Sequence, residues 1–375
     1  MRISLIIAAV FLFAGGIQAD TPALLAHYMP WFTSEPYRGT WGGHWTMHGA
    51  RNPNKIRENG QREIAAHQYP LIGPYDSADP HLLEYHVLLM KLSGIDGVIV
   101  DWYGIKQHSD YLELHQNTQA LIPWLEKAGL KFVLCYEDQS IKHMVKAGVL
   151  TKGESVDHAR EVMQWVDRQW FNREVYFNIN HRPLLMVFGP QYFNRSQWNH
   201  VLGGLEKRPI LYGLPHLHES GGTDASFGWP PVIEGREISR EEWMAYLDQL
   251  YTGENPIGLA FPGFHDYYEQ AGQRKSFGHI PHREGKTFIE SFDRAENAHA
   301  QIIQLVTWND YGEGTVIEPT AEFGYRYLEE VQRRSKSKFT SAELRSPARL
   351  YQLRKAGSTR KKEATSLAAR LFARP

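Results

Sequence analysis

The sequence predicts an α/β fold, a (β/α)8 TIM barrel with a C-terminal helical extension. Three observations carry that reading. Short apolar runs of strand length recur along the chain, helical patterns fall between most of them, and 375 residues suit one large barrel. Parallel strands covered on both faces read as continuous apolar runs, whereas a helix packed on their outside shows a single apolar stripe.

The first strand is expected at Leu24 to Met29, followed by a long loop from Thr33 to Asp79 and a helix over His81 to Leu92. Gly97 to Trp102 reads as the second strand and Tyr111 to Ala128 as its helix. Phe132 to Tyr136 and Leu184 to Phe188 flank a helical pattern at Val156 to Trp170. Helices at Ser196 to Leu205, Arg240 to Leu250 and Thr287 to Ala300 precede strands at Ile210 to Leu214, Ile257 to Phe261 and Ile302 to Thr307. Glu322 to Arg334 closes the series. Seven strands are plain, and an eighth is placed around Val232, which favours a closed barrel over an open sheet. The barrel is assigned to residues 20–334.

Residues 1–19 read as a signal peptide. Arg2 supplies the positive start, Leu5 to Phe13 the apolar stretch, and Ile17-Gln18-Ala19 a cleavage site. The expected location is secreted or periplasmic. No later run approaches the roughly 18 apolar residues of a transmembrane anchor. Cys135 is the single cysteine, so no intramolecular disulfide can form, and its apolar neighbours predict an inert buried thiol.

A composition of 42% hydrophobic and 22% charged residues excludes a disordered chain. The formal charge of −1 argues against a nucleic-acid partner. That near-neutrality averages two regions, because 13 Lys and Arg face 2 Glu from Arg333 onward. Residues 335–375 therefore read as a basic helical extension. Leu344, Ala348, Tyr351 and Leu353 form an apolar stripe that docks it on an acidic body.

Chemistry in such a barrel belongs where strands end and loops begin. Those places carry His27, Tyr28, Trp31, Asp101, Trp102, Tyr103, Glu137, His265, Asp266, Trp308 and Asn309. The last strand leads into Asp310 and Glu313, with Gly312 and Gly314 free to adopt unusual backbone angles. Two carboxylates aimed into one cleft suit hydrolysis of a glycosidic bond. One holds a proton for the leaving oxygen, and the other activates a nucleophile or stabilises charge. Trp31, Trp41, Trp45 and Trp229 are candidates to stack on sugar faces.

The segment Trp308-Asn309-Asp310-Tyr311-Gly312-Glu313-Gly314-Thr315-Val316-Ile317-Glu318-Pro319 resembles the signature of glycoside hydrolase families 71 and 99. His27-Tyr28-Met29-Pro30-Trp31-Phe32 is similar to the first strand of the mannan-cleaving family, and Gly94 to Gly104 to a second-strand motif of that group. The resemblance spans roughly Leu24 to Arg334. It implies a (β/α)8 barrel, export and an α-linked polysaccharide substrate, α-mannan or α-1,3-glucan in type. It also implies Glu313 as general acid and Asp310 as base. Asn309 to Glu313 looks like the α-1,3-glucanase family, which inverts. Gly314 to Pro319 looks like the endo-α-mannanase family, which retains configuration through the substrate's own 2-hydroxyl and carries Glu where this chain has Asp310. Glu318 is expected to orient the loop rather than react.

No G-x-G-x-x-G or GKS/T loop follows a strand, and no G-x-S-x-G elbow occurs. His216-x-His218-Glu219 lacks the spacing of a metal-ligand motif, so no cofactor and no metal are expected. A non-catalytic glycan-binding protein and a relative of envelope-polysaccharide glycosyltransferases are the other readings. Intact Asp310 and Glu313 count against the first. Export away from nucleotide sugars counts against the second.

Overall fold

A computed structural model describes residues 21–253, 256–335 and 337–373; the expected signal peptide lies outside the described residues. Eight parallel strands form the barrel. They are β1 Ala23–Tyr28, β2 Gly97–Trp102, β3 Lys131–Tyr136, β4 Arg182–Val187, β5 Ile210–Gly213, β6 Ala225–Ser226, β7 Ile257–Ala260 and β8 Ile302–Leu305. Their spatial order is β6-β5-β4-β3-β2-β1-β8-β7. The sequential winding follows from the right-handed crossover that each intervening helix imposes.

The eighth strand is Ala225–Ser226, upstream of the expected position around Val232. Pro230 and Pro231 cannot donate to a ladder, so Val232 lies in irregular chain. The short β6 pairs with β5, and no pairing between β6 and β7 occurs among the described residues. The barrel is open at that seam.

Alternation along the strands divides the apolar residues into two sets. Leu25, Ile99, Val133, Cys135, Leu184 and Met186 fill the barrel interior. Ala26, Tyr28, Val100, Trp102, Leu134 and Tyr136 point outward and pack beneath the helices. Those helices are α1 Pro80–Ser93, α2 Tyr111–Ala128, α3 Gln139–Lys146, α4 Ser155–Val166, α5 Arg195–Leu202, α6 Arg240–Leu250, α7 Lys286–Asn297 and α8 Arg326–Arg334. The ends of α1 show why boundaries fall where they do. Asp79 accepts a hydrogen bond from the His81 amide at the start, and Gly94 stops the helix at a φ of 81°. The pattern expected over Val156 to Trp170 breaks at Asp167, where one turn widens into a π-helix.

The basic extension is packed on the barrel. Helices α9 Ser346–Lys355 and α10 Lys361–Ala373 bury Leu344, Leu350 and Leu353 with Ala364, Leu367 and Leu371. Arg354 grips the buried Glu84 of α1 through two hydrogen bonds of 2.7 and 2.9 Å, and Lys355 reaches Asp79 at 2.6 Å. Part of the positive charge therefore answers acids buried on the barrel's outer surface.

Candidate active site

The pleat decides which strand-end side chains reach the mouth. Leu25 points into the barrel, so His27 does as well; Ile99 and Asp101 repeat this on β2, and Cys135 and Glu137 on β3. A cavity of about 340 Å³ opens above them. His27, Trp31, Asp101, Tyr103, Glu137, Trp229, Asp310 and Glu313 all line it, so eight of the expected residues meet in one place.

The last strand's continuation is tightly braced. The Thr307 amide donates to the Thr315 carbonyl at 2.7 Å, and the Asp310 amide to the Thr307 hydroxyl at 2.7 Å. Asp310 Oδ1 in turn accepts from the Glu313 amide at 2.9 Å, which ties the two acids into one turn. Gly314 has a φ of 67°, and a β-carbon there would stand 2.5 Å from the His265 carbonyl oxygen. Only glycine fits that position. Gly312 needs no left-handed backbone, contrary to expectation.

Burial sets the protonation pattern. It pushes Asp310 up to about 6, against the lowering effects of the Glu313 amide and His44. Glu313 rises well above the usual carboxylate range, through burial and then the neighbouring charge of Asp310. The Trp229 indole, 3.3 Å from Glu313 Oε2, opposes that rise. Burial thus favours the protonated form of both carboxyls, and the charge of Asp310 adds to it at Glu313. Burial also carries Glu137 up to about 7, with the Gln139 amide opposing. Asp101 is pushed well upward by burial and by the charge of Glu137. His27, buried and lowered to about 4, stays neutral while bonded to Gln304 at 2.8 Å.

Seven expected residues lie elsewhere. Tyr28 and Trp102 are next in sequence to inward-facing His27 and Asp101, so the pleat turns them toward the helices. Tyr28 pairs with His86 at 3.1 Å, and Trp102 packs edge-on against Trp170. Trp308 is buried against His86. Trp45 is fully buried and donates to the Tyr75 carbonyl at 2.8 Å. Asn309 spends its amide on both the N–H and the carbonyl of Met29, fastening the last loop to the first. Asp266 accepts from Phe277 N at 2.7 Å and the Ser276 hydroxyl at 3.0 Å, holding a neighbouring loop. His265 stacks on His67 with centroids 3.6 Å apart. Trp41, a further stacking candidate, bonds to Asn54 away from the cavity.

Other lining residues lie outside those expectations. His44, Met47 and His48 come from the long first loop, and Tyr268 and Phe277 from the segment after β7. His44 stacks on Trp31 at 4.3 Å and covers one of its faces. Gln304, a lone polar residue in an apolar strand, is the one visible signal for His27's partner. Glu318 stands behind the site as the loop's anchor. It accepts from Tyr75 at 2.8 Å and from Tyr311, and lies 2.8 Å from His86. Of the histidine pair considered for a metal, His218 bonds to Thr223 at 2.8 Å. No group of three or more candidate metal ligands occurs among the described residues.

The barrel has structural counterparts. The GH99 endo-α-mannosidase of Bacteroides thetaiotaomicron superposes with a TM-score of 0.60 at 18% identity, over 87% of this chain and 98% of that one. The fold is that of the GH99 endo-α-mannosidases. A glycoside hydrolase-like protein gives a TM-score of 0.56 at 14% identity, over 71% of this chain and 89% of its own. Sequence relatives are more distant in what they convey. An uncharacterized protein, WxcX of Xanthomonas campestris pv. campestris, is 22% identical over 358 residues, covering 82% of this chain and 48% of that protein. The chain thus spans about half the length of the curated relatives it matches. A Danio rerio glycoprotein endo-alpha-1,2-mannosidase-like protein is 35% identical over 60 residues, 16% of this chain and 14% of that protein. No family model matches.

Proposed function

We propose that this protein is a glycoside hydrolase that cleaves an α-linked polysaccharide of the α-mannan or α-1,3-glucan type. One observation carries the reading: Asp310 and Glu313 share one turn and line one cavity at the barrel mouth, where burial favours the protonated form of each. Two adjacent acids that do not both ionise readily can serve as a proton donor and its ionised partner. Glu313 gives its proton to the glycosidic oxygen as the bond to the anomeric carbon breaks. Asp310 takes the proton of the attacking group, either water or the substrate's own 2-hydroxyl. Asp101, Tyr103, Glu137 and neutral His27 offer hydrogen bonds to sugar hydroxyls. The similar fold of an endo-α-mannosidase supports the class of substrate.

Glu313→Gln keeps the shape of the site and removes the proton. It should abolish turnover of α-mannan and α-1,3-glucan oligosaccharides while leaving their binding intact; wild-type activity would sink the assignment. The anomer released first, read by NMR, separates retention from inversion. Export from the cytoplasm is part of the same proposal, and fractionation of cells expressing the full chain tests it. No described helix is long and apolar enough to cross a membrane.

A further inference from the structure

Glu313 borders two concavities. One is the acid-lined cavity above the barrel; the other is a groove of about 720 Å³ lined mainly by the segments that follow β5, β6 and β7. The two share Phe188, Trp229, Phe277 and Glu313, so they adjoin, and Glu313 lines both.

Their chemistry differs sharply. The groove is walled by Leu214, Leu217, Pro230, Pro231 and Val232. Among the described residues, Glu313 is its only carboxylate, and neither lysine nor arginine lines it. Its other polar groups are mostly engaged. The Gln191 amide donates to the Phe188 carbonyl at 3.0 Å, and Tyr246 bonds to the backbone of Trp229. His216 remains at the rim. A sugar bearing its full set of hydroxyls would lose water there without gaining partners, at a cost to binding. A hydrocarbon-bearing group would gain from the same burial.

We infer that the groove receives the leaving-group half of the substrate, and that this half carries hydrocarbon substituents, as an acylated or alkylated unit or aglycone does. The position of Glu313 assigns the direction, because a proton donor stands between the sugar that keeps the anomeric carbon and the group that departs. The inference rests on the reading of Glu313 as proton donor, and its test is built to separate the two.

Octyl glycosides of an α-mannobiose and an α-1,3-glucobiose would be compared with glycosides of 2-(2-ethoxyethoxy)ethanol, a polar alcohol of the same chain length. For the hydrolysed disaccharide, kcat/KM should favour the octyl compound by about tenfold or more. Equal or reversed values overturn the inference. Leu217→Asp, at a half-exposed position, should bring the ratio close to one; an unchanged ratio counts against the groove. If no glycoside is hydrolysed, the proton-donor reading fails. Quenching of tryptophan fluorescence then decides the groove alone: tighter binding of the octyl glycosides supports it, and equal binding overturns it.

Discussion

The indole Nε1 of Trp229 stands 3.3 Å from Oε2 of Glu313 and is the hydrogen-bond donor that tempers the rise in this carboxyl's pKa. A donor favours the ionised form, so its removal should raise that pKa further. Trp229→Phe keeps a ring beside His27, which meets the indole edge-on at 5.0 Å, and deletes the N–H. The basic limb of the pH dependence of kcat/KM should therefore move to higher pH. An unmoved limb would show that Glu313 does not govern it.

Glu137 predicts a pH-dependent stability. Its pKa is raised to about 7 in the folded state by burial, above that of an unfolded glutamate. The folded protein thus holds a proton that the unfolded chain has already released, and stability falls as pH rises through 7. Glu137→Gln removes that dependence. The variant should melt several degrees above the wild type at pH 8 and close to it at pH 4, as read by calorimetry. An equal effect at both values would mean that the buried carboxyl's proton is not the cause.

Glu318 makes the case for support from behind the site. Tyr75 and Tyr311 donate to it, and His86 lies within 2.8 Å, all in a buried setting. Glu318→Leu strands those partners and should cost roughly 2–5 kcal/mol in denaturant unfolding. The turn bearing Asp310 and Glu313 lies just upstream in the chain and should lose its fixed aim. We expect kcat to fall about tenfold with a smaller change in KM. Glu318→Gln keeps an acceptor for the tyrosines and should retain more of both.

Most of the barrel is legible in the sequence because apolar runs and helical stripes are local signals. The helix over Tyr111–Ala128 matches its expected span, whereas β6 lies away from its expected place because two residues leave no period to read. The meeting of Asp310 and Glu313 in one cavity is legible for a related reason, since both follow directly on the last strand. What the strand ends do not disclose is parity. Tyr28 and Trp102 look as suggestive as His27 and Asp101, yet adjacent residues face opposite sides, and only the register of the pleat decides which side is the mouth. Trp45 defeats the expectation because a loop tryptophan can cover a sugar or its own loop, and its indole N–H is spent on Tyr75. Met47, Tyr268 and Phe277 come from irregular segments and His44 from a single helical turn within the first loop, where long-range folding and no local pattern brings side chains together.

The basic extension gives the last prediction. Glu84 is almost fully buried on α1, and Arg354 is its bidentate partner across 270 residues of chain. Taking the guanidinium away leaves a buried carboxylate without its partner, where ionisation is expensive. Arg354→Met should therefore destabilise the protein by about 3–5 kcal/mol. Removing the charge on both sides relieves this, so Glu84→Gln with Arg354→Met should recover much of the loss. The double-mutant cycle, followed by denaturant unfolding, would read a coupling of more than about 1 kcal/mol. Strict additivity of the two changes would mean that α9 is held by its leucines alone, and that the positive charge of the extension has no part in fastening it to the barrel.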